Sequence, residues 1–436
     1  MTAFFRRGFR DRIEGPLHGL LGAITPHSLL HVGDQLVLVH CHHYALFLEQ
    51  TIFDALGGES RGVRRQAAFE AAHALLGPLY AEHPGASPRE KLELAAELFA
   101  AMGQGRLRFE LTAEGGTVQA ASLFHGSSFL AKYGGRIQNR MTVDAFAAGY
   151  CAAAASLAFP SDWGRLEADE VTCVARGDAV CTFLLTRRSE RPRFGAILTR
   201  DVVASSRVSF EPEAGAALRA RHTGSAMLGV LGALRSDERG LIPAYGVNLA
   251  LLPVSYVDVK TFDTVHLIER RSPELVPVFE ALVREAAQTG AFHLLGGLLG
   301  SPSFEAACGP VGKDQRERLE QLLGLCRALG WGAFTAPELQ PGRALVLRAP
   351  VTHESAYYAM KHGPTTRSRL LFQQGTALAI MQLLHRVDFG TERPIDADTY
   401  EGLFKSGPRF RVEETRSPLR GDDACEVRVE AVEDRW

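Results

Sequence analysis

Two stretches of the chain share one pattern, EVTCVARGDAVC at Glu170–Cys181 and ETRSPLRGDDAC at Glu414–Cys425. Each begins with a Glu, has Arg-Gly-Asp six residues later and ends in a Cys eleven residues after the Glu. Apolar residues alternate around Gly-Asp, a dipeptide that is typical of tight turns. Each stretch is therefore predicted to be a β-hairpin, in which Gly177 supplies a positive φ angle and the Asp178 side chain binds the backbone.

The two hairpins belong to a longer internal repeat. GLLGA at Gly19–Ala23 recurs as GVLGA at Gly229–Ala233, and HGSSFLAKYGG at His125–Gly135 recurs as HESAYYAMKHG at His353–Gly363. Together with the hairpins, these are three matches in the same order along the chain. Ordered matches of this kind indicate two copies of one domain.

Each copy has the same coarse pattern of predicted elements. A short helix comes first, then a strand, two or three amphipathic helices, a hairpin, two further helices and the final hairpin. This order predicts an α+β fold, in two tandem copies of a mixed helix plus antiparallel-sheet domain. We place the first copy at residues 1–190, a linker at 191–212 and a diverged second copy at 213–436.

The composition is that of an ordinary globular protein. Of 436 residues, 46% are hydrophobic and 22% charged, and the formal net charge is −2. No block of basic residues points to nucleic acid or to an anionic membrane. The start of the chain lacks a signal-peptide core, and the longest apolar run is too short and Ala-rich to span a bilayer. Seven scattered Cys favour a reducing cytoplasm over a disulfide framework.

The first hairpin carries side chains that suit a metal ion. Glu170 and Cys173 lie on one arm and Cys181 begins the other, so the turn brings the three together. Two thiolates and a carboxylate suit zinc, and a fourth ligand would close a tetrahedral site. Ser417 stands where Cys173 stands in the first copy. Because a Ser hydroxyl is a poor zinc ligand, the second copy is predicted to keep the hairpin without the metal.

The motif Glu-x-x-Cys followed by Gly-Asp-x-x-Cys, after a helix containing AGYCAAAAS, resembles the C-terminal pattern of the 4-vinyl reductase domain family. The resemblance implies that Glu170, Cys173 and Cys181 bind zinc together with an upstream Cys. No Cys clearly matches that position. Asp144 lies near it and is taken as the fourth ligand, while Cys151 is about two helical turns further on.

The same resemblance implies a fold related to subunits of the TRAPP tethering complex, with an apolar cavity. Members of the family include sensor domains for phenol-like or toluene-like aromatics and accessory proteins of bacteriochlorophyll synthesis. The resemblance covers both halves and is specific around the hairpins. The chain has no Gly-x-x-x-x-Gly-Lys-Ser/Thr, so a complete one-chain transcription regulator of the aromatic-sensing kind is not expected.

The segment HCHHY is a second candidate site. It is predicted to end a strand, where neighbouring side chains point to opposite faces. Only His40 with His42, or Cys41 with His43, could then share a metal. The second copy has no His in its matching segment, VSYVDVK. The pattern favours His40, His42 and His43 as pocket-lining residues, with metal or catalytic use as the alternative.

Two further residues are candidates for the ligand pocket. His125 matches His353 between the copies, and each is predicted to cap a helix or to face a pocket. Tyr150 lies in an Ala-rich helix, whose small side chains allow close packing or leave room for a ligand. The sequence points to no third group that would orient a catalytic Ser-His pair, so no catalytic residue is assigned.

These observations favour a cytoplasmic, non-catalytic protein that binds a small apolar ligand, hydrophobic or aromatic, and holds a structural zinc in its first domain. An enzyme or enzyme accessory protein acting on a hydrophobic or tetrapyrrole substrate, through the His-rich segment, is the alternative. A scaffold in a larger assembly is the third hypothesis. No nucleic acid partner and no membrane span are expected, and a homodimer or a pathway partner protein stays open.

Overall fold

The computed structural model describes residues 15–22, 25, 27–134, 142–160, 165–189, 197, 199, 201, 203, 214–390, 395–405 and 409–432. The predicted linker, 191–212, therefore lies mostly outside the described residues. Helices and strands follow the same order in both halves, and the α+β class is confirmed.

The first half begins with a short helix and a short hairpin, and it ends with the Arg-Gly-Asp hairpin. Its elements are α1 (Leu17–Leu20), β1 (Leu30–Val32), β2 (Gln35–Cys41), α2 (His42–Leu56), α3 (Ser60–Ala81), α4 (Pro88–Ala101), β3 (Arg108–Thr112), β4 (Gly115–Ala120), α5 (Phe124–Tyr133), α6 (Ala145–Ala158), β5 (Arg165–Thr172) and β6 (Cys181–Arg188).

The second half repeats this order with two additional helices, α10 and α14. Its elements are α7 (Ala214–Gly232), β7 (Ile242–Ala244), β8 (Val247–Pro253), α8 (Val254–Arg271), α9 (Val276–Leu299), α10 (Pro302–Cys308), α11 (Gln315–Ala328), β9 (Thr335–Gln340), β10 (Ala344–Ala349), α12 (His353–His362), α13 (Leu371–Arg386), α14 (Ala397–Lys405), β11 (Phe410–Arg416) and β12 (Cys425–Ala431).

Within the described ranges the strands form three antiparallel sheets of four strands each. Each half has a sheet of its own, β3-β4-β6-β5 in the first and β11-β12-β10-β9 in the second. The third sheet, β1-β2-β8-β7, is built from both halves, since β2 pairs with β8 from Val37 opposite Pro253 to Cys41 opposite Leu249. This pairing covers the edge that each short hairpin would otherwise expose.

Helices pack against one another within and between the halves. α3 packs on α6 and α9 on α13, while α2 contacts α9 and α3 contacts α8 across the interface. The intrahalf pairs approach closely because each has a Gly at the crossing. A Cβ atom at Gly149 would lie 2.6 Å from the Arg65 carbonyl oxygen, and one at Gly375 would lie 2.3 Å from the Arg284 carbonyl oxygen.

A buried ionic network joins the two halves. The Glu49 carboxylate accepts hydrogen bonds from the Lys260 ammonium and the Tyr256 hydroxyl of the second half. It also pairs with Arg64 of the first half, at 2.9 Å. Every side chain in this network is buried. Among the described residues, the helices are all too short or too polar to cross a membrane.

Candidate functional site

The predicted hairpins are present in both halves and have one geometry. Gly177 has φ 93° and Gly421 has φ 91°, as the turn requires. The Asp178 carboxylate accepts a 2.7 Å hydrogen bond from the Cys173 amide, and in the second half Asp422 accepts one of the same length from the Ser417 amide. The predicted role of the Gly-Asp turn is confirmed at both sites.

The structure brings the four predicted metal ligands of the first half together. One ligand atom each from Asp144, Glu170, Cys173 and Cys181 all lie within 4.8 Å of one another. Asp144 Oδ2 is 3.6 Å from both Sγ atoms. Its other oxygen, Oδ1, accepts a 3.1 Å hydrogen bond from the Gly126 amide at the start of α5. The cluster therefore ties the hairpin to the first turns of α5 and α6.

The electrostatics of this cluster suit a cation. Burial and the neighbouring Glu170 raise the pKa of Asp144 well above its ordinary range. Burial and Cys173 raise the pKa of Glu170 to about 9. Glu170 Oε1 is buried and has no hydrogen-bond partner in the part of the chain that the structure describes. Two thiols and two carboxylates in one closed, buried cluster form a donor set that fits tetrahedral zinc.

The second half lacks this arrangement. Leu370 precedes α13 as Asp144 precedes α6, and Ser417 replaces Cys173. Glu414 keeps the structural part of the role of Glu170, because it accepts the Leu370 amide at 3.0 Å as Glu170 accepts the Asp144 amide at 3.0 Å. The described residues of this half contain no second group that could hold a metal ion.

The His-rich segment does not continue the strand as predicted. β2 ends at Cys41, and His42 and His43 are the first two residues of α2. Their rings are neighbours at 4.2 Å between centroids, rather than pointing to opposite faces. His40 is fully buried and stacks on Tyr44 and Trp331, so its side chain belongs to the core.

His42 and His43 line a cavity of about 1100 Å³ between the halves. The starts of α2 and β8, the end of α5, the β7–β8 turn, the last turns of α9 and the loop after α13 surround it. His293 of α9 stacks on His43 at 3.9 Å between centroids. The cavity therefore takes residues from both copies, whereas the sequence placed the pocket in the first copy alone.

These three histidines are neutral at pH 7. Burial lowers the pKa of His42 to about 4 and that of His293 to about 4, and burial lowers the pKa of His43 further. Among the described residues their ring nitrogens do not converge as a group that could hold a metal ion. In this geometry the rings can donate hydrogen bonds to a bound molecule and accept hydrogen bonds from it.

The repeat provides an internal comparison for the histidines. Val254 and Ser255 begin α8 where His42 and His43 begin α2. Arg65 lies against Gly149 in the first half as Arg284 lies against Gly375 in the second, so these two arginines correspond. His293, nine residues after Arg284, therefore corresponds to Ala74, nine residues after Arg65. The fold is thus built in the other half without any of the three histidines.

The remaining two candidates lie outside this cavity. His125 is the second residue of α5, whereas His353 is the first residue of α12, so the matched histidines are one position apart in the structure. Neither caps its helix: His353 binds the Asp258 carboxylate at 3.0 Å, and His125 is buried with Nε2 unpaired among the described residues. The Tyr150 hydroxyl donates to the Ala95 carbonyl oxygen at 2.8 Å.

The cavity residues that the sequence did not predict include Lys132, Tyr245 and His293. Lys132 and Lys361 occupy the same position in the repeated helices, so the sequence gives no sign that their roles differ. His293 is the lone His of α9, an apolar helix, and is followed by Gly296 and Gly297, against which Ile395 and Tyr245 pack closely. Such a pattern is a weak signal, because a lone buried His is more often part of the core.

Comparisons with known proteins add little to this geometry. No protein-family profile matches the chain, and no curated protein matches it. Among solved structures, the phenol-responsive sensory domain of the transcription activator PoxR with phenol aligns over 42% of this chain and 92% of that chain, with 21% sequence identity and a TM-score of 0.34. A likeness this weak carries no argument about function. Membership of the 4-vinyl reductase family stays a prediction.

Proposed function

We propose that this protein binds a small molecule with a hydrophobic or aromatic body in the cavity between its halves. The cavity itself carries the proposal: about 1100 Å³ of space, lined mostly by apolar residues together with eight residues that have polar side chains. Small-molecule sites have this composition, although most are somewhat smaller. Histidines at the cavity wall that the fold does not require are typical of groups placed for a ligand.

A strained turn at the cavity supports the same proposal. Tyr245 has φ 54° and Gly246 has φ 75°, so the β7–β8 turn needs two residues in the left-handed region. Asn and Gly adopt this region readily, and a Tyr there costs about 1 kcal/mol. The matching turn of the first half has Gly33 at the place of Tyr245. A Tyr retained against this cost is expected to contact the ligand.

We propose further that the cluster of Asp144, Glu170, Cys173 and Cys181 holds a structural zinc. All four positions of a tetrahedral site would be protein ligands, which is typical of structural rather than catalytic zinc. The ion would join the hairpin to α5. The other end of α5 carries Lys132 at the cavity, about 9 Å along the helix from Gly126. The metal would therefore stiffen one wall of the ligand site.

The full chain tests the binding proposal with Nile red, a neutral apolar dye, and with native mass spectrometry for co-purified molecules. We expect one dye site per chain, weakened about fivefold in the double variant His42→Ala, His43→Ala, since a lost buried hydrogen bond costs on the order of 1 kcal/mol. Ser255→Ala, at the matching place in the second half, is the control and should bind as the wild type does. Equal binding by all three proteins, with no co-purified molecule, would refute the proposal.

A further inference from the structure

The cavity contains a positive charge, Lys132, that has no counter-ion among the residues that the structure describes. Lys132 and Lys361 are the ninth residues of α5 and α12. Lys361 pairs with Asp263 at 2.7 Å, whereas the residue matching Asp263 in α2 is Thr51. Within the described ranges Lys132 makes no ion pair, and its ammonium lies 5.2 Å from the centroid of the Tyr133 ring. The first half has thus kept the lysine and lost the carboxylate.

A hydrogen-bond donor lines the same cavity. The Asn248 amide donates to His42 Nδ1 at 3.1 Å. Since the His42 ring is neutral, its proton must lie on Nε2, which makes Nε2 a donor. The charge of Lys132 contributes to lowering the pKa values of His42, His43 and His293. The ammonium is therefore within electrostatic reach of all three rings.

The two carboxylates that line the cavity bind their own loops. Asp388 Oδ1 accepts the Gly390 amide at 2.9 Å, and Asp396 Oδ1 accepts the Thr399 amide at 2.8 Å. Neither forms an ion pair with Lys132, although Asp396 counteracts the lowering of the His293 pKa to which Lys132 contributes. The apolar side chains of Phe389 and Ile395 line the same cavity.

Resting on the proposed function, we propose that the ligand of this cavity carries an acidic group. A carboxylate or a comparable anion would lie between the Lys132 ammonium and His42 Nε2–H, while its apolar body packs against Val247, Phe389 and Ile395. Charge-assisted hydrogen bonds are about twice as strong as neutral ones, so Lys132, a half-buried residue, gains from a counter-ion that enters with the ligand. The site would therefore select an acid over its neutral isostere.

The test compares two probes that share a naphthalene body, 2-naphthoate and the neutral 2-naphthalenemethanol, by calorimetry on the full chain at pH 7.5. We expect 2-naphthoate to bind wild-type protein about tenfold more tightly, and the preference to shrink as salt is raised. Lys132→Met should abolish the preference, because 2-naphthoate then loses its counter-ion and binds about as weakly as the alcohol. Lys361→Met is the matched control and should keep the preference, and melting curves check that both variants fold.

The outcomes separate this inference from the function on which it rests. Equal binding of both probes by wild-type protein, weakened alike in His42→Ala, His43→Ala, would overturn the acidic ligand and leave the binding function standing. A preference for 2-naphthoate that survives in Lys132→Met would overturn the assigned position of the acid. Failure of both probes and of Nile red to bind wild-type protein would overturn the inference and the proposed function together.

Discussion

At the scale of single residues, the two halves bury a carboxylate at the same helix junction by different routes. In the first half Asp144 extends from the start of α6 toward the two cysteines. In the second half Glu354 extends from α12 and accepts the amides of Phe372 and Gln373, at 2.8 and 3.2 Å, at the start of α13. The second carboxylate is satisfied by backbone donors, so it needs no metal. The first has one such donor among the described residues, the Gly126 amide, and faces two thiols.

Cys181→Ser is therefore expected to remove a zinc ion that Cys425→Ser leaves in place. The two cysteines begin matching strands, β6 and β12, so the second substitution is a matched control. Elemental analysis should find about one zinc per chain in the wild type and in Cys425→Ser, and almost none in Cys181→Ser. Because structural zinc binding is coupled to folding, Cys181→Ser should also melt at a lower temperature. Metal-free wild-type protein as stable as the loaded form would refute the zinc.

Glu354 predicts a pH dependence of stability. Burial raises its pKa to about 8, well above that of an exposed carboxyl. A raised pKa in the folded state means that its contribution to stability is complete below the unfolded pKa, about 4.5, and is lost as the pH rises to about 8. Glu354→Gln has no titrating carboxyl at this position. The wild type should therefore lose stability relative to the variant between pH 5 and pH 8, by on the order of 2 kcal/mol in the free energy of unfolding.

Urea unfolding of both proteins at pH 5 and pH 8 measures this difference. Glu274→Gln, at an exposed residue, is the control and should parallel the wild type. Parallel behaviour of Glu354→Gln as well would show that Glu354 titrates normally.

At the scale of elements, the turns and hairpins were predictable and the boundary between β2 and α2 was not. The Gly-Asp turn follows from local backbone preferences, and the structure has it twice. The segment HCHHY has no clear alternation of polar and apolar residues, so the sequence did not distinguish the end of a strand from the start of a helix. The structure starts a helix at His42, because β2 has reached the end of its pairing with β8 at Cys41. The positions of the histidine rings depend on that long-range pairing.

The β7–β8 turn gives an element-scale prediction. Tyr245→Asn relieves a side chain held at φ 54° and should raise the free energy of unfolding by up to about 1 kcal/mol. If Tyr245 contacts the ligand, the same substitution should weaken Nile red binding. Urea unfolding and dye titration on one preparation give both numbers. A variant that is more stable and binds the dye as the wild type does would show that Tyr245 has no role in binding.

At the scale of the whole molecule, the sequence predicted two copies of one α+β domain but not how they join. The repeat was visible because ordered motifs recur along the chain. The shared sheet could not be predicted, because β2 and β8 are far apart in sequence and the residues of each are typical of an ordinary buried strand. The same holds for the cavity: His42 and His293 come from different copies, and only the packing of α2 on α9 brings their side chains to one wall.

This joint interface predicts that the halves do not separate. Parting them would strip β2 of its five pairs with β8 and would leave Glu49 and Arg64 buried or exposed without Lys260. Removing one partner from a buried ionic network costs about 3–5 kcal/mol.

We therefore expect a chain cleaved at a protease site inserted at Pro192 to elute from a sizing column as one particle of unchanged size. The two fragments should part only in denaturant, and each half expressed alone should aggregate. Two soluble monomeric halves that melt as the intact chain does would contradict a shared sheet, and with it a ligand site built from both copies.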